Sequence, residues 1–207
     1  MDTNKMYYRI RNIAGFLGMI LPWIALFSSY IRPHPSATWF YSISATYYQS
    51  PALAGILTAA SIVLMCYDGY DIIDNIVTTA SGVFGICIVL FPCKVDWLSG
   101  NVGFFQLPME ISNIIHCGSA FGFFGLLSVN SLFLFTKGDD SPTPQKKIRN
   151  IVYRVCGIGM IVDTVAFIVV MNITGKGWVM MIGEIILLTL FGISWLTKGG
   201  VFFKDKK

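Results

Sequence analysis

The chain has 207 residues, of which 55% are hydrophobic and 13% are charged, and its formal net charge is +4. A soluble domain ordinarily has about 25% charged residues, so this composition excludes an ordinary soluble protein. The apolar runs are long and numerous, which predicts a protein that crosses a membrane several times.

Six apolar runs predict an all-α bundle of six transmembrane helices that forms a single domain over residues 1–207. At about 1.5 Å per residue, a helix needs about 20 residues to cross a hydrocarbon core of about 30 Å. The first run is too long for the apolar part of a cleaved signal peptide and lacks an A-x-A site, so we expect a retained signal anchor. The predicted spans are 12–31, 52–67, 76–92, 110–136, 150–172 and 178–197.

The basic residues predict the orientation of this bundle. With the N-terminus inside, only three of the 15 Lys and Arg residues lie on the outer side, namely Arg32, Lys94 and Lys176. The other twelve lie on the inner side, which is the usual bias of membrane proteins and predicts that both termini are cytoplasmic. The surplus positive charge then faces anionic lipid headgroups, so the predicted partner is the lipid bilayer and not nucleic acid.

Three ionisable residues lie inside the predicted spans: His116, Asp163 and Glu184. All three fall in the outer third of the bilayer by residue count. A carboxylate that faces lipid is costly, so we expect the three side chains to gather in one pocket. Ser44 and Tyr47 precede the second span on the outer side, and we expect them to cover this pocket as a lid.

The three side chains leave three interpretations open. They can form a structural hydrogen-bonded network, bind a proton, cation or amine-bearing ligand, or hold a divalent metal ion together with a water. The chain has no H-E-x-x-H motif and no second intramembrane histidine, so the spacing does not favour the metal ion, and no cofactor is predicted. No G-x-S-x-G motif is present either, so no catalytic residue is assigned and Ser42 and Ser44 are not expected to be nucleophiles.

A second polar cluster lies on the inner side, between the second and third spans. Asp68, Asp71 and Asp74 would share one helix face if the third helix began early enough. We expect an interfacial turn in which these acids pair with nearby basic residues. The candidate partners are Lys147, Arg149 and Arg154.

Small residues on the spans predict close helix packing. The five cysteines lie singly and predict small buried hydrophobes rather than disulfides. Residues 138–145, with two prolines and two acids, predict a linker before the fifth span. The packing glycines are Gly15, Gly18, Gly82, Gly85, Gly118, Gly122, Gly157 and Gly159.

Several short motifs resemble a family of small bacterial inner-membrane proteins that is grouped as a domain of unknown function. The similarity extends over about residues 40–160, and it implies a multi-pass inner-membrane location without implying an activity. Ser44, Tyr47, Asp71, Asp74 and His116 lie on the family pattern, whereas Asp163 and Glu184 lie outside it. The motifs are Ser42-Ile43-Ser44 with Tyr47-Tyr48, Tyr67-x-Gly69-Tyr70-Asp71-x-x-Asp74-Asn75, Leu90-Phe91-Pro92, Ile115-His116, and Lys147-x-Arg149-Asn150-x-x-Tyr153-Arg154-x-Cys156-Gly157.

A looser likeness links the chain to intramembrane hydrolases of the ceramidase and adiponectin-receptor type, which also use Ser, Asp and His on helices. The chain lacks their paired histidines, so the zinc chemistry is not carried over. The leading hypothesis is therefore a non-enzymatic protein that binds or moves a small polar or cationic species, or a proton, through an outward-facing pocket. A metal-dependent hydrolase acting on lipid and a channel-forming homo-oligomer are the alternatives.

Overall fold

The computed structural model describes residues 3–31, 42–138 and 143–205, and for residues 3–5 it describes the backbone only. Arg32, His34 and residues 139–142 of the predicted linker lie outside the described residues. In the described part the chain is almost entirely helical. Its helices are α1 (Thr3–Ile31), α2 (Ala52–Met65), α3 (Ile72–Leu90), α4 (Met109–Val129, continued by a π-helical turn at Asn130–Leu134), α5 (Pro144–Thr174) and α6 (Gly177–Lys198), and a 3-10 helix at Ser44–Tyr48 precedes α2.

The predicted all-helical fold is confirmed, and five of these helices are long and apolar enough to cross a membrane, which is compatible with the predicted membrane bundle. Helix α2 has 14 residues and spans only ~21 Å. Helix α5 begins at Pro144 rather than at residue 150. Thr143 caps it, since the Thr143 Oγ1 accepts from the Lys146 N–H at 3.1 Å, and proline fits the first helical position.

The bundle has two ends with different contents. The terminal end contains the start of α1, the α2–α3 turn, the α4–α5 connection and the end of α6. A Cβ placed on Gly199 would meet the Asn12 side chain, and one on Gly200 would meet Tyr8, so the first turns of α1 lie next to the residues that follow α6. The loop end contains residues 42–50, the α3–α4 connection and the α5–α6 turn.

A short β-hairpin at the loop end was not predicted. Asn101–Val102 pairs with Leu107–Pro108 in an antiparallel register, between α3 and α4. Gly103 and Gln106 in its turn have φ values of 74° and 50°. Two strand residues on each side give no alternating pattern that a sequence could show. The hairpin packs on a small second core that includes Ala45, Cys93, Val95, Val102 and Met109.

All but one of the predicted packing glycines lie in close contact with a neighbouring helix. A Cβ on Gly15 of α1 would lie 2.8 Å from the Leu196 nitrogen of α6, and one on Gly82 of α3 would lie 2.6 Å from the Ser61 oxygen of α2. Such positions admit no larger residue without a shift of the backbone. Gly118 differs, because nothing lies within 4 Å of its Cβ position. The five cysteines are free, as predicted, although Cys66 and Cys117 are exposed rather than buried.

Candidate functional site

The carboxylate of Glu184, in the second turn of α6, receives four hydrogen bonds from one short segment of the loop end. The Ser42 hydroxyl and the Ile43 N–H donate to its Oε2 at 2.7 and 2.6 Å. The Ser44 N–H donates to its Oε1 at 3.2 Å, and the Ser44 hydroxyl donates to the same oxygen. Backbone amides can only donate, so the arrangement matches the ionised carboxylate, which is acceptor-only. We call these four residues the carboxylate clamp.

The local sequence explains why this segment turns its donors inward. The Ser42 Oγ also accepts from the Ser44 N–H at 3.0 Å, a side-chain turn that is typical of serine. The Thr46 hydroxyl donates to the Ile43 carbonyl at 2.6 Å and stabilises the first turn of the 3-10 helix. Successive N–H groups therefore converge on one anion, as they do in backbone nests.

Three side chains satisfy the carbonyl groups that follow α3. His116 Nδ1 lies 2.9 Å from the Phe91 carbonyl oxygen, and because a carbonyl only accepts, Nδ1 carries the proton. The Ser112 hydroxyl donates to the Pro92 carbonyl at 2.8 Å. The Tyr48 hydroxyl donates to the Cys93 carbonyl at 2.7 Å, and burial raises the pKa of Tyr48, so it stays a donor.

A cavity of about 530 Å³ lies between the clamp and helices α4, α5 and α6. Most of its polar lining groups lie near the loop end: besides the clamp they include Lys94, Asp96, Asn113 and His116, whereas Thr164 of α5 lies deeper. Its deeper wall is apolar and includes Leu21, Leu57, Phe123, Phe124, Leu187 and Leu188. This volume is in the range of pockets that hold small organic ligands.

The cavity opens sideways between α4 and α5. Phe121 of α4 is 68% exposed and Ile168 of α5 is 43% exposed, and both line the cavity. Deeper in the bundle the two helices touch, since a Cβ on Gly157 would lie 3.1 Å from the Ser128 carbonyl oxygen. The helices therefore diverge toward the loop end and leave a gap on the apolar surface of the bundle.

The charges that line the cavity are negative on balance. Asp96 and Glu184 contribute two carboxylates, and Lys94 contributes one ammonium. The Lys94 Nζ is 2.6 Å from Glu110 Oε1, at the surface. Within residues 42–138 and 143–205, no basic side chain forms an ion pair with Glu184.

Asp163 does not join His116 and Glu184 at the cavity, contrary to expectation. The Thr164 next to it lines the cavity, but Asp163 does not. Its side chain is half-buried, and its Oδ2 has no hydrogen-bond partner among the described residues. Tyr47 is also absent from the lining. It packs against the main core and edge-to-face on Tyr48, so of the two expected lid residues only Ser44 borders the cavity, and it does so as part of the clamp.

The side chains considered above as metal ligands do not form a metal site. Among the side chains that the structure describes, no three His, Cys, Asp or Glu residues lie close enough together to hold a metal ion. His116, Asp163 and Glu184 all belong to the described part, so these three do not fit a hydrolytic metal centre.

The acidic turn at the terminal end has a different basic partner from those expected. Lys137 Nζ lies 2.8 Å from Asp71 Oδ2 and 2.7 Å from Asp74 Oδ1, so the expected pairing with Lys147, Arg149 or Arg154 is wrong. Asp71 caps α3, accepting from the N–H groups of Ile73 and Asp74 at 3.0 and 3.1 Å. Asp68 therefore precedes the helix and does not share its face; it accepts from Asn75 at 2.7 Å. The Lys137 ammonium lowers the pKa of Asp71.

No sequence pattern indicates the cluster of aromatic rings that surrounds Lys198, the last residue of α6. Its Nζ lies 4.6 Å from the centre of the Tyr70 ring and 5.0 Å from that of Phe135, and it donates to the Phe135 carbonyl at 3.3 Å. Arg11 lies in a similar way over Tyr67, at 5.4 Å. These cation–π contacts join α1, α4 and α6 to the α2–α3 turn.

Comparisons of the chain with protein-family models, with curated proteins and with solved structures give no match. The resemblance carried by the short motifs therefore stays a prediction.

Proposed function

We propose that the protein is a six-span membrane protein whose terminal end faces the cytoplasm. Among the described residues, Lys94 and Lys176 are the basic residues of the loop end, and the other basic residues lie toward the terminal end. Helix α2 leads from Leu53, at the cavity, toward Tyr67 beside Arg11, which supports counting it as a sixth span. A location in a bacterial inner membrane rests on the motif resemblance alone.

We further propose that the cavity at the loop end binds a small ligand with a positively charged group. The observation that carries this proposal is the carboxylate clamp: Glu184 borders the cavity, and no described basic side chain pairs with it. A buried negative charge without a counter-ion is costly, and a cationic ligand would remove that cost. Asp96 at the same cavity adds to the attraction.

The clamp also limits how such a ligand can be held. Each oxygen of Glu184 already accepts two hydrogen bonds, which leaves little capacity for a further donor. Charge attraction in a low-dielectric site is therefore the main force on the ligand, rather than a new hydrogen bond. The hydrolase alternative has no supporting set of metal ligands among the described side chains.

Cys117 provides a direct readout of ligand binding. It is exposed and lines the cavity, whereas Cys66 is exposed at the terminal end. The full-length protein would be reconstituted in vesicles and alkylated with N-ethylmaleimide, with the rate followed at each cysteine by mass spectrometry. The probes are tetramethylammonium and dodecyltrimethylammonium. We expect at least one to slow alkylation of Cys117 and to leave that of Cys66 unchanged.

Glu184→Gln is expected to weaken this protection about tenfold or more, because the charge is lost. The matched control is Glu110→Gln, which neutralises a surface carboxylate at the same end. Since Glu184→Gln also puts N–H groups against the clamp donors, Asp96→Asn serves as a second variant that leaves the clamp intact, with a several-fold loss expected. The proposal is wrong if neither probe protects Cys117 in the wild-type protein. It is also wrong if Cys117 is protected as well in both cavity variants as in the wild-type protein.

A further inference from the structure

We infer, on the basis of the proposed function, that the ligand is a single-chain amphiphile with a cationic head group that forms no hydrogen bonds, such as trimethylammonium. It would enter the cavity from the membrane through the gap between α4 and α5. The head group would lie near the clamp and the chain would extend along the apolar wall.

The first support is the gradient of polarity along the cavity. On α4 the lining changes from Asn113 and His116, near the loop end, to Phe123 and Phe124, deeper in the bundle. The step from Asn113 to Phe124 is about 11 residues, or ~16 Å of helix. On α6 the lining changes in the same direction, from Glu184 to Leu187 and Leu188. A small polar ion would leave this apolar depth unused, whereas an alkyl chain would fill it.

The second support is the position of the opening. The gap lies on the side of the bundle where α4 and α5 expose Phe121 and Ile168, and these side chains are apolar. In a membrane protein such a surface faces lipid. A ligand already dissolved in the bilayer reaches the gap without crossing water. The volume of about 530 Å³ suits one chain rather than a lipid with two.

The third support is the state of the clamp. Because four donors occupy the Glu184 oxygens, a head group that carries charge but no N–H loses nothing by binding there.

The test compares three probes in the Cys117 protection assay. Dodecyltrimethylammonium has both the chain and the charge, tetramethylammonium has the charge alone, and dodecyl maltoside has the chain alone. We expect the first to protect at a concentration at least about tenfold lower than the second, since each buried CH₂ adds to affinity. Dodecyl maltoside is expected not to protect.

Ala120→Phe tests where the chain lies. Ala120 lines the cavity one turn below His116, so the added ring would fill the site of the chain. We expect about a tenfold loss of protection by dodecyltrimethylammonium. The control is Gly125→Phe, on the same helix, where nothing lies within 4 Å of the Cβ position. Thr164→Phe, from the opposite wall, replaces Ala120→Phe if that variant does not fold.

The outcomes separate this inference from the proposed function. If tetramethylammonium protects as well as dodecyltrimethylammonium, or if neither cavity-filling variant affects protection, the inference of an amphiphilic ligand is wrong. The proposed cation site is then unaffected. If dodecyl maltoside protects equally, the charge is irrelevant and both are wrong. Glu184-dependent protection that requires the dodecyl chain, and that Ala120→Phe weakens, supports both.

Discussion

The two ends of the bundle keep charged groups inside an apolar structure in opposite ways. At the terminal end, Lys137 pairs with Asp71 and Asp74, and Lys198 lies among aromatic rings. At the loop end, the charge of Glu184 meets only hydroxyl and amide groups, and a cavity adjoins it. The terminal end thus surrounds its basic groups with carboxylates or aromatic rings, whereas the carboxylate of Glu184 has no basic partner among the described residues.

The two ends of the bundle also differ in how tightly their side chains pack. Trp195 is fully buried at the terminal end, with the Tyr67 and Phe135 rings at 5.1 and 5.2 Å in edge-to-face contact. Tyr153 extends this cluster at 5.4 Å from Phe135. At the loop end α4 and α5 separate instead, and the space of about 530 Å³ stays open. The terminal end is therefore the more tightly packed of the two ends, and the loop end keeps the cavity.

Trp195→Ala should have the largest effect on stability, because it removes the centre of the aromatic cluster. We expect a loss of about 3 kcal/mol in the free energy of unfolding. The control is Phe121→Ala at the cavity opening, where the ring is 68% exposed and little packing is lost. Thermal unfolding of both variants in one detergent measures the difference. Equal losses would contradict the division between a packed end and an open end.

The sequence predicts the positions of the helices better than it predicts which face of each helix points to the core. Five of the spans are recovered as long apolar helices. The rotation of α5 is not recoverable, because its lipid face and its core face are both apolar and no amphipathic pattern distinguishes them. For this reason residue counting placed Asp163 at the right depth to join Glu184, while the structure turns Thr164 rather than Asp163 to the cavity.

Contacts between distant segments could not be predicted either. Ser42 and Glu184 are 142 positions apart, and nothing in either segment indicates the other. The sequence points to Glu184 as a pocket residue and to the neighbouring Ser44 as a lid, but not to their contact. The pairing of Lys137 with the acidic turn was missed because Lys137 follows the π-helical end of α4, whose position depends on packing rather than on a local signal. Motif residues were thus easier to find than their partners.

Gly15→Val tests the close contact of α1 and α6, with a smaller expected effect. The valine Cβ would approach the Leu196 backbone at 2.8 Å, so one helix has to move. We expect a loss of about 2 kcal/mol. Gly118→Val is the matched control. Gly118 is also a predicted packing glycine, but nothing lies within 4 Å of its Cβ position. A stability loss as large in Gly118→Val would show that the close approach of α1 and α6 is not the cause of the loss in Gly15→Val.

Lys137→Met should give the smallest effect, and its pH dependence identifies the cause. Hydrogen bonding to Lys137 lowers the pKa of Asp71 below its ordinary 3.8, so that contribution to stability is present above pH 3.8 and is lost as the pH falls through the lowered value. The two carboxylates raise the pKa of Lys137 above 10.5, so its contribution is present below pH 10.5 and is lost as the pH rises through the raised value.

Between these limits the melting temperature of Lys137→Met should lie a few degrees below that of the wild type, by a constant amount. The difference should shrink at both extremes of pH, where one partner loses its charge. Lys147→Met is the control: it removes the same charge from an exposed residue that forms no ion pair in the described part of the chain. If both variants show the same profile, net charge rather than the acidic turn is responsible, and the terminal end is then not stabilised by this pairing.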